Sequence, residues 1–263
     1  MSIYDLKGRR ALVTGGAQGL GESYARALAA AGAQVAIADL QDRGAEVAAD
    51  LGEGHHFVKH DVADDTSWQE AIDSTVSALG GLDILINNAG VEITSLLTDI
   101  DAHEARKLLD VNVLGTILGL KHGLRAMRPG GSAGEGGTII NVASVAARIS
   151  FPGIAVYSAT KSAIDRLTRV AAMESGKLGY GVRVNCLLPG LVPNAMGAAL
   201  AGDVAEIGLF DSPEAAVQAV VELTPSGRLA EEKDITEGLM FLASDQSRFV
   251  NGVALQVDGG MGM

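Results

Sequence analysis

The stretch Ala11-Leu12-Val13-Thr14-Gly15-Gly16-Ala17-Gln18-Gly19-Leu20-Gly21 passes from a short apolar run into a glycine-rich turn, and helical periodicity begins at Leu20. Such a turn between a first strand and a first helix aims backbone N–H groups and the positive end of the helix dipole at one point, where a pyrophosphate can sit. The spacing is T-G-x-x-x-G-x-G rather than the commoner G-x-G-x-x-G. The plainer alternative is an ordinary tight turn. The residues downstream decide between the two.

Short apolar runs alternate with longer helical patterns along the rest of the chain. Strands are expected at 10–13, 34–38, 55–59, 84–86, 138–142, 182–187 and 253–257. Helices are expected at about 20–31, 43–51, 66–79, 102–127, 158–176, 213–223 and 231–242. Such alternation builds right-handed parallel βαβ units. Strands apolar throughout are those covered by helices on both faces. The expected fold class is therefore α/β, a doubly wound sheet of seven parallel strands. No Ser/Pro-rich linker, charge block or repeat interrupts the chain, so 1–263 is expected to form one domain. Two loops stand out. Residues 129–137 are glycine-rich and expected to be a flexible surface connection, while 191–228 form a long insertion with its own helical stretch.

Composition narrows the function. There are 34 glycines among 263 residues, well above the usual ~7%. With only 6 prolines and no three-residue glycine period, they read as tight turns and close backbone approaches. The formal charge of −12 disfavours nucleic acid and anionic membranes, which reward Lys and Arg. It leaves room for a phosphate-bearing cofactor held by backbone amides. One cysteine, Cys186, excludes an internal disulfide framework or a cysteine-rich metal site. His55, His56 and His60 are too scattered for metal ligands, so no metal is expected. The opening MSIYDLKGRR lacks the basic-then-apolar pattern of a secretory leader, and no 18-residue apolar run spans a membrane. A cytoplasmic protein is expected.

The second strand ends at Asp39. A carboxylate there accepts hydrogen bonds from a ribose 2′-hydroxyl and repels the extra phosphate of NADP. Gln18 in the turn is neutral, and no cation is expected near enough to offset that repulsion. The combination favours NAD. The alternative for Asp39 is a helix cap or a solvated loop carboxylate.

Four further stretches carry a specific pattern. Asp61-Val62 follows the third strand, and Asn87-Asn88-Ala89-Gly90 the fourth. Asn112 sits in Asp110-Val111-Asn112-Val113-Leu114-Gly115. Ser144 follows the fifth strand, with Tyr157-Ser158-Ala159-Thr160-Lys161 beyond it. With these, the chain resembles the short-chain dehydrogenases/reductases from Leu6 to Gly260, enzymes of Rossmann-like fold. The resemblance implies a cofactor-binding part at about 6–140 and a catalytic and substrate-loop part at about 141–263. Gly15, Gln18, Gly19, Leu20 and Gly21 would form the phosphate turn. Asp39 and Leu40 would meet the adenosine ribose, and Asp61 and Val62 the adenine. Asn88, Ala89 and Gly90 would line the cofactor groove. Pro189, Gly190, Val192 and Asn194 would approach the nicotinamide, with Asn194 where the family often has a carboxamide-binding threonine. Asn112, Ser144, Tyr157 and Lys161 would be the catalytic tetrad, with Asn112 holding a water that links Lys161 to solvent. A homotetramer is implied, with the tail Met261-Gly262-Met263 near a subunit interface.

The residue types suit hydride transfer. Removing hydride from an alcohol also requires removing a proton, and Tyr157 can take it. A free tyrosine, with a pKa near 10, is too weakly acidic for base work at neutrality. Lys161 stands four residues on, on the same helix face, and can stabilise the tyrosinate. The positive ring of NAD+ would add to that. Ser144 can orient the substrate oxygen. Each residue alone has a plainer reading: an exposed Tyr–Lys pair, a serine cap, a buried asparagine bonding backbone. Their joint occurrence after the glycine turn argues for activity.

Val91, Ile93, Ala146, Ile149, Phe151, Leu191, Met196 and Leu200 would make an apolar substrate pocket, joined by Ile207, Leu209 and Phe210 of the long loop. Glu92 and Arg148 could add a polar contact to that pocket, though the plainer expectation is that both are exposed. The expected activity is NAD-dependent oxidation of a hydrophobic, alicyclic or hydroxysteroid-like secondary alcohol, or the reverse ketone reduction. The alternatives are an NADPH-dependent 3-oxoacyl thioester reductase and an inactive dinucleotide-binding regulator.

Overall fold

The computed structural model describes residues 4–263, so the absence of a leader pattern concerns in part residues outside it. All seven expected strands form: β1 (Arg10–Thr14), β2 (Gln34–Asp39), β3 (His56–Lys59), β4 (Ile84–Asn87), β5 (Gly137–Val142), β6 (Val182–Pro189) and β7 (Ala254–Val257). They make one sheet in the order β3-β2-β1-β4-β5-β6-β7, parallel at every pairing. Alternate residues feed opposite faces. Val13, Ile37, Ile86, Ile140 and Leu187 enter one core. Leu12, Ala36, Leu85, Ile139 and Val184 enter the other. A two-sided core is what makes these strands apolar at consecutive positions.

Nine α-helices among the described residues cover the sheet: α1 (Gly19–Ala30), α2 (Arg43–Leu51), α3 (Asp65–Leu79), α4 (Ala102–Leu108), α5 (Gly115–Met127), α6 (Ala155–Lys177), α7 (Ala195–Glu206), α8 (Pro213–Leu223) and α9 (Glu232–Ala243). Three expectations change. The single helix expected at 102–127 is two helices joined by a π-helical segment, Leu109–Leu114. Wide turns of that kind concentrate at functional positions, because they re-aim a side chain that a regular helix would turn elsewhere. Helix α6 starts at Ala155 rather than near 158, so Tyr157 lies in its first turn. The long insertion carries two helices, α7 and α8. They share a small core of Ala201, Val204 and Ala216 with Phe151, Leu200, Leu209 and Phe210 packed against it, and the Phe151 and Phe210 rings stack at 5.8 Å.

The glycine-rich connection at 129–137 is also better anchored than its composition suggests. Ala133 is buried, its N–H donates to Ala126 O, and its carbonyl accepts from Leu82 N. Gly136 N donates to Met127 O at 2.7 Å. Backbone hydrogen bonds replace the missing side chains there, a signal that composition does not carry.

Candidate active site

The carboxyl ends of the strands open into a cleft of about 760 Å³. It sits where the strand order reverses between β1 and β4, the usual ligand crevice of open parallel sheets. The carboxyl ends of the adjacent strands β1 and β4 are stitched together at its floor. Thr14 Oγ1 accepts from Asn88 N and Ala89 N, both at 3.1 Å, and Asn88 Nδ2 donates to Thr14 O at 3.0 Å.

The turn after β1 is shaped for close approach. Gly15 takes φ +64°, and a Cβ there would come within 2.8 Å of Ala89 Cα. A Cβ on Gly21 would collide with Gly15 O. Gln18 is the N-cap of α1, yet its side chain makes no capping bond, so it does not occupy the first-turn amides. An uncapped helix N-terminus behind a glycine cradle fits a pyrophosphate. Asp39 is buried at the end of β2, where Oδ2 accepts from Ala17 N at 3.0 Å and Oδ1 from Gln41 N at 2.8 Å. The turn and the carboxylate are therefore one rigid unit.

One expectation here is overturned. Arg43, at the start of α2, reaches back to the turn and donates to Ala17 O. Its guanidinium also pairs with Glu22 at 2.8 Å. A cation does stand beside the turn, paired with the Glu22 carboxylate that it shares with Arg26. The i+4 step from Asp39 hid it, since no local motif ties 43 to 17.

Farther along the cleft, Ser144 caps a short 3₁₀ turn and accepts from Ala146 N at 3.1 Å. Lys161 is buried and donates to Val142 O at 3.0 Å, with Nζ 5.5 Å from the centre of the Tyr157 ring. Burial lowers its pKa to about 8. Burial also pushes the Tyr157 hydroxyl up to about 12, against a hydrogen bond with Ser144 that lowers it and a Glu92 charge that raises it. Within the protein's own environment the tyrosine is thus harder to ionise than a free one, not easier.

Of the expected cofactor and catalytic residues, all but Asn112 line the cleft. Asn112 is fully buried behind it. Its Oδ1 accepts from Val91 N and its Nδ2 donates to Val91 O, both at 2.9 Å, with a further bond to Thr160 Oγ1 at 3.1 Å. The side chain clamps the loop after β4 to α6, which is the plainer of its two sequence readings. Asn194 caps α7 through Oδ1, accepting from Gly197 N at 3.0 Å, and its Nδ2 would lie 3.8 Å from a Cβ added at Gly19. Its acceptor is therefore engaged within the protein.

Among the expected pocket residues, Val91, Ala146, Ile149, Phe151, Leu191, Met196 and Leu200 line the cleft, and Ile93 does not. Ile207, Leu209 and Phe210 also stay out of its lining, the latter two packing in the core of the insertion instead. Arg148 is exposed and pairs with Asp165 at 2.7 Å. Glu92 is half-buried and lines the cleft, which overturns the exposed reading and leaves the polar-contact one. Sequence reasoning also missed Lys107, Val111 and Met261. The first two are one helical turn apart, a spacing that could have paired them. His60, also lining, is buried against Trp68 at 4.5 Å and shares a hydrogen bond with Ser67 Oγ at 2.9 Å. His55 accepts from Val35 N and His56 bonds Ser74, so the three histidines stand apart. No helix among the described residues is long and apolar enough to cross a membrane.

Residues 15–262 match the model of a family described as enoyl-(acyl carrier protein) reductase. Over 260 residues the chain is 37% identical to trans-4-hydroxycyclohexanecarboxylate dehydrogenase of Sinomonas cyclohexanicum, covering 95% of this chain and 91% of that one. It is 35% identical to 3-beta-hydroxysteroid dehydrogenase of Comamonas testosteroni, covering 98% of each. A crystal structure from Sinorhizobium meliloti 1021, described as a short-chain alcohol dehydrogenase, superposes with a TM-score of 0.86 at 33% identity, over 99% of this chain and 98% of that one.

Proposed function

Because the chain belongs to the short-chain dehydrogenase/reductase family, we propose that it moves a hydride between NAD(H) and a hydrophobic or alicyclic secondary alcohol or its ketone. The observation that carries the reading is that Ser144, Tyr157 and Lys161 share one cleft with the glycine turn and Asp39. The glycine turn would hold the pyrophosphate, Asp39 and Leu40 the adenosine ribose, and Asp61 and Val62 the adenine. Asn88, Ala89 and Gly90 would flank the middle of the groove, with Pro189, Gly190, Val192 and Asn194 at the nicotinamide end. When bound, the nicotinamide supplies the hydride chemistry.

The chain's own residues handle the proton. In oxidation, Ser144 orients the substrate hydroxyl and Tyr157 removes its proton; in reduction Tyr157 returns it. From about 12, bringing Tyr157 to ionise near pH 8 takes roughly 5 kcal/mol of tyrosinate stabilisation. Two positive charges can supply it: Lys161, protonated below about 8, and an oxidised nicotinamide. Asn112 is a positioning residue that sets Val91 and α6 against each other. The apolar wall from Val91 to Leu200 suits a ring-shaped substrate, and two relatives are named for cyclohexane and steroid alcohols. A homotetramer in the cytoplasm completes the proposal.

The matched family's description, enoyl-(acyl carrier protein) reductase, points to acyl-thioester substrates, and the second reading is NADPH-dependent reduction of a 3-oxoacyl thioester. Asp39 opposes it, and the Glu22 partner of Arg43 denies the 2′-phosphate a free cation. The test is an activity panel of linear, cyclic and steroid secondary alcohols with NAD+, beside 3-oxoacyl thioesters with NADPH. Cyclic or steroid alcohols with NAD+ should turn over fastest. Faster thioester reduction with NADPH refutes the proposal.

A further inference from the structure

Glu92 has no role in the reading above, yet its environment needs one. It follows β4 and lines the cleft, as Val91, Ile149 and Phe151 also do. Thr94 Oγ1 donates to its Oε1 at 3.0 Å, which fixes the carboxyl in place. The charged or titratable groups that couple to Glu92 are Asp203 of α7, which is outside the cleft lining, and Tyr157 of α6, and no cation is among them. A half-buried carboxyl with a single neutral donor and no cation is left short of partners on its cleft side.

We propose that Glu92 is a specificity-determining residue that binds a second hydroxyl of the substrate, so that alicyclic diols are preferred over mono-ols and over hydroxy acids. The inference rests on the alcohol-oxidising reading. Burial holds the Glu92 proton up to about pH 7, so the acid and the carboxylate coexist near neutrality. A hydroxyl suits both forms, since it donates to the carboxylate and accepts from the acid. An ammonium suits only the ionised form. A substrate carboxylate meets repulsion from Glu92 when it is ionised. Four carboxylates, Asp39, Asp61, Glu92 and Glu232, line the cleft against two ammoniums, Lys107 and Lys161.

The experiment compares kcat/KM of the purified enzyme with NAD+ for cyclohexanol, the 1,2-, 1,3- and 1,4-cyclohexanediols, 4-aminocyclohexanol and 4-hydroxycyclohexanecarboxylate. The best diol should exceed cyclohexanol by about ten- to a hundredfold, the worth of a hydrogen bond to a charged group, with the difference in KM. In Glu92→Leu that ratio should fall toward one. In Glu92→Gln part of it should survive, while the hydroxy acid gains relative to the diol. Should Glu92→Leu fail to fold, the wild-type and Glu92→Gln ratios decide. Equal ratios in wild type and variants, or a preference for the amine or the hydroxy acid, overturn the proposal alone, because alcohol oxidation then still stands. No oxidation of any of these alcohols overturns this inference, and if the linear and steroid alcohols fail as well, the reading beneath it falls too.

Discussion

Asp39 does two jobs with one carboxylate. Its oxygens fix the Ala17 and Gln41 amides, and the same group faces the cleft where an adenosine ribose would lie. Arg43 stands beside the turn, paired with Glu22. Cofactor choice should therefore depend on two acids. Asp39→Asn should cut the NAD+/NADP+ ratio of kcat/KM by about ten- to a hundredfold, and adding Glu22→Gln, which frees Arg43, should lower it further. Steady-state rates with both cofactors check this; an unchanged ratio in the double variant removes Asp39 and Arg43 from the account. Lys161 gives a pH prediction with a definite sign. A cation beside Tyr157 favours the tyrosinate, so Lys161→Met should move the rising limb of the oxidation profile to higher pH. In the wild type the rise should flatten above about pH 8, where Lys161 loses its proton. A profile of kcat/KM against pH for both proteins measures it.

At the scale of elements, the π-helical segment between α4 and α5 matters most. It presents Asn112 to Val91 and Thr160, three hydrogen bonds in a fully buried place. Asn112→Ala leaves the Val91 amide and carbonyl unpaired, at about 1–3 kcal/mol for each buried group. The melting temperature should fall by several degrees, and kcat should drop with it because the loop after β4 shifts. Thermal denaturation and steady-state kinetics test the pair; a normal melting temperature contradicts the clamp. The strand–helix alternation was legible from hydrophobic pattern because each strand feeds two cores. The π turn was not, since six residues of ordinary helical composition carry no mark of one extra residue per turn. Within 191–228 the pattern gave α8 at 213–223 but not α7. Glu92 escaped for a related reason: a charge after a strand reads as exposed until the insertion is folded over it.

At the scale of the molecule, the pattern of motifs was legible because each sits at a strand's carboxyl end, and a parallel sheet gathers those ends into one cleft. What local sequence lacks is the long-range contact: Arg43 with Ala17, Met261 with the cleft, Ala133 with the core. His60 links the cleft to global stability. Burial lowers its pKa to about 4, so the folded chain holds it neutral while the unfolded chain takes a proton near 6.5. Its contribution is therefore full above pH 6.5 and is lost as pH falls toward 4, a few kcal/mol in all. Urea unfolding at pH 7 and pH 5 should show a smaller loss in His60→Asn than in the wild type; parallel losses contradict the assignment. The central claim, a cleft that binds NAD and uses Tyr157 to move the proton, is tested most directly by Tyr157→Phe. NADH should bind within a few-fold of the wild-type Kd, while kcat/KM for a cyclic secondary alcohol falls by about a hundred- to ten-thousandfold. Turnover close to the wild-type value would contradict it.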